Sequence, residues 1–213
     1  MFEDLLGSFA IEPLLQRYEL RLLQKDDAAQ MFALTDANRE YLRSWLPWLD
    51  AIEGVNDTQN FILHTRQQAI DRQGFVAAIW ELSGADSRQK DRIVGIIGLN
   101  KIEWQDRIGY IGYWLGEFDR GRGIMTSACR VLIEYTFLKL NLNRLVIACA
   151  SENHRSRSIP IRLGFSHEGV ARDAEWLYDR FVDHEIYALL LKEWTGERGT
   201  GRLETGRLGR LKL

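Results

Sequence analysis

Long apolar runs are missing from this 213-residue chain. None approaches the ~20 residues a helix needs to cross a bilayer, so no membrane partner is expected. Cysteine is scarce: only Cys129 and Cys149 occur, both inside apolar patterns. Buried free thiols in a reducing compartment are the expectation, not a disulfide framework. The four histidines (His64, His154, His167, His184) are scattered without metal-ligand spacing, so no metal is expected. Neither sign of charge dominates, with a formal net charge of −2. That balance argues against nucleic-acid binding through a basic surface. Met1 to Ile11 mixes acids with apolar residues and lacks the basic start of a signal peptide. These absences together predict a cytoplasmic protein. Two phosphate-binding patterns are also missing. There is no G-x-x-x-x-G-K-[ST] loop, and no G-x-G-x-x-G fingerprint opening a βαβ unit.

What is present is a different glycine turn, Arg120-Gly-Arg-Gly-Ile-Met125. It lies between a strand-like run, Ile111 to Leu115, and a helical pattern, Ile124 to Leu140. Helix-start amides have no intrahelical partner, and the helix dipole adds positive potential there. Glycines let a ligand approach that backbone closely, so the turn suits a phosphorylated cofactor. Taken alone, it serves as well for a plain strand-to-helix connection.

Tyr18 to Leu23 reads as a first strand, and Asp26-Asp27 opens a helical region that Trp45-Leu-Pro-Trp48 interrupts. Asp57 begins a second amphipathic helix. Phe75 to Leu82 and Ile93 to Leu99 read as a hairpin with a long polar loop, followed by a strand from Ile108 to Leu115. Leu145 to Ala150 is continuously apolar, as in a parallel strand covered on both faces. Strand, crossover helix and strand then form a βαβ unit, with the glycine turn at the ligand-binding end of its first strand. Asn153 to Leu163 is a short helix, Gly164-Phe165 starts another strand, and Ile186 to Leu191 is the last. The fold class is α+β, with antiparallel strands first and a βαβ later. Residues 1–13 form an extension, 14–195 the domain, and 196–213 a tail in which Gly-Arg-Leu recurs three times. The tail reads as a solvated, disordered end.

With these residues in view, the chain resembles the GNAT N-acetyltransferase superfamily, and within it the RimJ/RimL-type ribosomal-protein N-terminal acetyltransferases. The resemblance rests on Arg120-Gly-Arg-Gly123-Ile-Met125, on Asn153-His-Arg-Ser156 with Leu163-Gly-Phe165, on Ile111-Gly-Tyr-Trp-Leu115, on Trp45-Leu-Pro-Trp48 and on Tyr187 to Trp194. It spans residues 16–195. Met125 stands where the superfamily's loop ends in a small residue. The resemblance implies a GNAT fold: a central, mostly antiparallel twisted sheet with a βαβ acetyl-CoA site and flanking helices. It also implies acetyl transfer from acetyl-CoA to an amine, either a protein N-terminus such as a ribosomal protein's or a small molecule. A homodimer is an expectation of the resemblance alone.

Residue roles follow in the same way. The amides of Gly121, Arg122, Gly123, Ile124 and Met125 would hold the pyrophosphate, with the Arg120 and Arg122 side chains adding charge. Backbone from Trp114 through Leu115 to Glu117 would pair with the pantetheine arm, and an amide near Leu115 would stabilise the oxyanion. Asn153 would orient the pantetheine amides, with Arg157 and Ser158 near the adenosine end. Glu175 is the candidate base, desolvated by Trp176, Leu177 and Tyr178, with Glu103 and Glu117 behind it. Many relatives carry a tyrosine general acid where this chain has Pro160, which has no proton to give. Ser156 takes that role in the subgroup. Pro160 also leaves open a non-catalytic acyl-CoA-binding module. Trp45, Trp48, Trp104, Trp176 and Tyr178 are candidates for an acceptor groove, and Arg172 and Arg180 for attracting an acidic peptide.

Overall fold

The computed structural model describes residues 9–10, 17–83 and 90–194. The tail at 196–213 and most of the 1–13 extension therefore lie outside the described residues. Eight strands form one sheet in the order β1-β2-β3-β4-β5-β6-β8-β7. They are β1 (Phe9–Ala10), β2 (Tyr18–Leu22), β3 (Phe75–Glu81), β4 (Arg92–Glu103), β5 (Ile108–Leu115), β6 (Arg144–Ala150), β7 (Ser166–Leu177) and β8 (Arg180–Leu190). Neighbours are antiparallel except for β5 and β6. The helices are α1 (Ala28–Ala37), α2 (Arg39–Arg43), α3 (Val55–Ile70), α4 (Ile124–Leu138) and α5 (His154–Arg162).

Side-chain alternation sorts the central strands into two cores. Phe75, Ala77, Ile79, Val94, Ile97 and Leu99 join one with Ile124, Ala128, Leu132 and Ile133 of α4. Ala78, Trp80, Ile93 and Ile96 join the other with Met31 of α1 and Ile62 of α3. The sheet is thus covered on both faces, which explains the unbroken apolar runs.

The feature that shapes the site is the β5–β6 register. Parallel pairing runs from Ile108↔Arg144 to Ile111↔Ile147 and stops. Both strands continue, β5 to Leu115 and β6 to Ala150, without pairing to each other. The sheet splays there, and α4 begins just beyond the opening. On the other side of β5, a bulge in β4 between Leu99 and Lys101 holds Asn100. The Asn100 amide folds over Gly112 so closely that a Cβ there would stand 2.3 Å from its Nδ2. Only glycine fits.

The expected antiparallel-then-βαβ order holds, with corrections at the edges. α3 begins at Val55, not Asp57; Asp57 instead accepts from the amides of Gly54 (2.9 Å) and Glu53 (3.0 Å) as a capping residue. β4 runs on past Leu99 through its bulge to Glu103. The last strand begins at Arg180 rather than Ile186. Its first half is polar because it pairs with the exposed edge strand β7, so no apolar signal marks it.

Candidate active site

The turn joining β5 to α4 is held from behind. Gly121 and Gly123 have φ of +74° and +76°, and nothing lies within 4 Å of where either Cβ would be. The backbone conformation, not crowding, demands glycine, and the space above both stays open. Gly123 is the N-cap of α4 and brings no capping side chain, which leaves the first-turn amides available to a ligand.

Asp119, 3% exposed, anchors this turn. Arg92 grips it with two hydrogen bonds of 2.9 and 2.6 Å, and Arg122 adds one of 2.9 Å. Glu81 extends the cluster, accepting from Arg92 (2.6 Å), the Tyr18 hydroxyl (3.1 Å) and Arg122 (3.3 Å). Burial pushes Glu81 upward, but the hydrogen bond and charge of Arg92, with Tyr18 and Arg122, outweigh it and hold the carboxyl below its ordinary value.

Two expectations change here. The Arg122 side chain turns behind the loop into this cluster rather than into the cleft. Arg120 does line the cleft, but its Nε donates to the Glu117 carbonyl (2.9 Å) and its guanidinium lies 4.2 Å over the Tyr41 ring. The Glu117 amide is also engaged, donating to Asn38 Oδ1 at 2.7 Å. The Leu115 amide is placed differently. Gly116 donates to the Val94 carbonyl of β4 (2.8 Å), so the amide one residue earlier points the opposite way, into the splay.

A cavity of about 1390 Å³ fills the splay and runs through to the far side of the sheet. Its floor is Gly112 to Leu115 and Ala148 to Ala150. Leu115, Glu117, Gly121, Gly123, Ile124, Met125, Asn153, Ser156, Ser158 and Glu175, all expected at the site, line this one cavity.

On the β6 side, Asn153 caps α5, its Oδ1 accepting from the Ser156 amide at 3.0 Å. The capping job therefore falls to Asn153 and leaves the Ser156 hydroxyl for other work. Ser156 Oγ donates to the Tyr113 hydroxyl (3.3 Å), which in turn donates to the Ser156 carbonyl (3.2 Å). Burial raises Tyr113 well above its ordinary value, so it stays a neutral phenol. Burial likewise raises the cavity-lining Cys149 to about 11. Ser158 donates to the Arg155 carbonyl (2.7 Å) and accepts from Arg162 (2.9 Å), which reaches Thr126 in the first turn of α4 (3.1 Å). Arg157 turns away from the cavity to the Ser151 carbonyl (2.8 Å) and Tyr187 (3.3 Å). Arg155 and Arg162 line the cavity instead. The sequence reading missed both arginines, and it missed Tyr113, Asn100 and His184.

At the far end, Glu175 projects from β7 with Oε2 3.5 Å from His184 Nε2. Trp176, next along the strand, points to the opposite face and meets Phe181 edge-on at 4.9 Å. It does not cover Glu175 as expected. Tyr178 also lies outside the cavity, where it acts as a clamp. Its hydroxyl donates to the Leu46 carbonyl (2.6 Å) and accepts from the Leu49 amide (3.2 Å), while Arg43 sits 3.8 Å over its ring. That clamp places Trp45 and Trp48 on the cavity wall, with Trp48 6.2 Å from Trp114. Trp104 is spent elsewhere, donating to the Arg72 carbonyl, and Glu103 pairs with Lys101 and Tyr110 away from the cavity. Arg172 and Arg180 do not line the cavity either. Among the described residues, no group of three or more His, Cys, Asp or Glu is arranged to hold a metal ion. No helix among them is long and apolar enough to cross a membrane.

Residues 17–166 match the acetyltransferase (GNAT) domain family. YdaF of Bacillus subtilis is 34% identical over 180 residues, covering 84% of this chain and 94% of that protein. The ribosomal-protein-serine acetyltransferase of Escherichia coli is 29% identical over 178 residues, covering 81% and 92%. The microcin C7 self immunity acetyltransferase MccE, solved with acetyl-CoA and AMP, superposes with a TM-score of 0.75 at 25% identity, covering 85% of this chain and 99% of its own. The family match over residues 17–166 and the identity with YdaF settle the assignment: the chain belongs to the GNAT acetyltransferase family.

Proposed function

We propose that this protein moves the acetyl group of acetyl-CoA onto the α-amino group of a protein N-terminus, a ribosomal protein being the favoured acceptor. The observation that carries the reading is one continuous cavity with an open glycine turn at a helix start at one end and a carboxylate beside a histidine at the other. Its volume of about 1390 Å³ exceeds the ~300–1,000 Å³ of ordinary small-molecule pockets, leaving room for a thioester and an acceptor segment together. The relative named as a ribosomal-protein-serine acetyltransferase supports the choice of acceptor.

The residues present fit acetyl-CoA. The amides of Gly121 to Met125 would bind the pyrophosphate, and the open space over the two left-handed glycines admits it. Arg155 and Arg162 add positive charge on the same side. Acetyl-CoA brings an activated acyl carbon and a thiolate leaving group. The Leu115 amide, aimed into the splay, donates to the carbonyl oxygen as charge builds there; losing such a donor typically costs ~3 kcal/mol of transition-state stabilisation. Glu175 takes a proton from the acceptor's ammonium, whose ordinary pKa near 8 asks only for a modest base, and the neutral amine then attacks. His184, beside it, keeps the carboxylate pointed at the cavity. Ser156 Oγ hydrogen-bonds the sulfur as the C–S bond breaks. Asn153, its side-chain oxygen spent on the cap, holds Ser156 in place.

The test is release of the CoA thiol against peptides varied at their first residue, with small amines in the same plate. Turnover on Ser- or Ala-starting peptides is the expected result. Turnover on small amines alone would move the protein to small-molecule acetylation, and silence throughout would leave an acyl-CoA-binding module.

A further inference from the structure

Pro160 lies inside α5. Its nitrogen carries no hydrogen, so the carbonyl four residues earlier, that of Ser156, loses its helical donor. The replacement comes from outside the helix: the Tyr113 hydroxyl of β5 donates to that carbonyl at 3.2 Å. The same hydroxyl lies 3.3 Å from Ser156 Oγ. In the resting arrangement Ser156 Oγ donates to that phenol and the phenol to the carbonyl; a small rotation about the phenol C–O bond would turn its proton to Ser156 Oγ and free the serine proton for another acceptor.

We propose that Tyr113 is the positioning residue for Ser156 in the transfer step, donating to Ser156 Oγ while that hydroxyl donates to the departing sulfur. The inference rests on the reading of Ser156 given above. The step balances simply. The amine nitrogen forms a bond to the acyl carbon, the C–S bond breaks, and its electron pair stays on sulfur. Glu175 takes one proton from the ammonium before attack, and the second leaves the bonded nitrogen for water as the amide forms. Neither hydroxyl gives up its proton. Each donates one hydrogen bond along the chain Tyr113–Ser156–sulfur, and the thiolate collects its proton from water after release. Successive donors polarise one another, so a hydroxyl that accepts a hydrogen bond becomes a better donor. Burial suits Tyr113 to this task, because the phenol stays protonated across the working pH range. The place where many relatives carry a tyrosine therefore holds the proline that recruits a tyrosine from another element.

Five variants and one spectrum test this. Tyr113→Phe keeps the ring and removes the hydroxyl. Its kcat should fall about tenfold with the acetyl-CoA KM unchanged, since a hydrogen bond to a developing charge is strengthened in the transition state. In a Ser156→Ala background the same change should cost nothing further, because the two act as one unit. A wild-type kcat in Tyr113→Phe, or an equal loss in both backgrounds, would overturn the proposal. Ser156→Ala turning over at the wild-type rate would overturn the reading of Ser156 as well. A loss in Ser156→Ala with none in Tyr113→Phe would remove the positioning role alone. Pro160→Ala restores an N–H to the Ser156 carbonyl. Tyr113→Phe/Pro160→Ala should stay as slow as Tyr113→Phe; recovery to the rate of Pro160→Ala would mean that the phenol serves only the helix. Finally, the ultraviolet absorbance of the CoA thiolate is titrated on the bound product. Its midpoint should lie higher in Tyr113→Phe than in wild type, and identical midpoints would count against the proposal.

Discussion

At the turn end of the cleft, backbone amides face the ligand with Arg120, Arg155 and Arg162 around them, and a second set of side chains works from behind. Asp119, Arg92, Arg122 and Glu81 form a network that holds Gly121 and Gly123 in a left-handed conformation. At the acceptor end the arrangement is reversed. Side chains from four distant segments face the cavity: Trp45 and Trp48, Asn100, Glu175 and His184. The Trp45–Trp48 segment is held there by the two hydrogen bonds of Tyr178. A site built from backbone recognises what every substrate shares; a site built from side chains recognises what differs. The fixed end suits one invariant donor, and the other end is where acceptor choice is made.

Experiments can break this division or sharpen it. Glu175→Gln should show the largest effect, a loss of ~100-fold or more in turnover at neutral pH, as for a missing general base. Activity should partly return as pH rises toward the amine's own pKa, read from kcat against pH. A loss that is flat with pH would assign Glu175 to binding instead. Asp119→Ala leaves two arginines facing a buried gap behind the turn. We expect acetyl-CoA affinity to fall by ~30-fold and stability by ~2 kcal/mol, discounted because Arg92 is partly exposed. Calorimetric titration and urea unfolding measure the two, and an unchanged affinity would show that the turn needs no backing. Tyr178→Phe should do the reverse, raising the acceptor KM about fivefold while leaving acetyl-CoA binding alone, as both hydrogen bonds of its hydroxyl to the Leu46–Leu49 segment are lost. If both constants move together, the two ends are not independent.

The smallest effect concerns pH. The folded pKa of Glu81 is depressed. Its contribution to stability is therefore full above the unfolded value near 4.3 and lost as pH falls through the folded one. Acid titration of wild type and Glu81→Gln should converge by a few tenths of a kcal/mol below about pH 4. Parallel curves would mean that Arg92 and Arg122 do not hold the carboxylate.

The sequence made the turn end legible because its signal is local. Two glycines six to eight residues past an apolar strand, ahead of a helical pattern, constrain the backbone wherever the rest of the chain goes. The strand β5 and the helix α5 were legible for the same reason. Side-chain destinations were not. Arg122 and Arg120 read alike in sequence, yet one turns back to Asp119 and the other lies over Tyr41. Which way each goes is decided by partners as far away as Glu81. Trp104, Trp176 and Trp48 are likewise equivalent until the sheet assigns them faces. The polar half of β8 was hidden because its partner β7 is an exposed edge with nothing apolar to cover. Tyr113 and Pro160 each carry little meaning until β5 and α5 meet.

The brief parallel pairing of β5 with β6, four residue pairs long, also has a mechanical meaning. It is a seam between a unit of β1 to β5 and a unit of β6, β8 and β7, bridged also by the crossover helix α4, the Tyr113–Ser156 hydrogen bonds and the Tyr178 clamp. Such seams are where sub-global opening begins in native-state hydrogen exchange. A ligand gripping the α4 turn on one side and α5 on the other would act as a suture across it. Amide protection should then rise along β6 and β8, far from any atom the ligand touches, and release of the product would return that half of the sheet to its looser state.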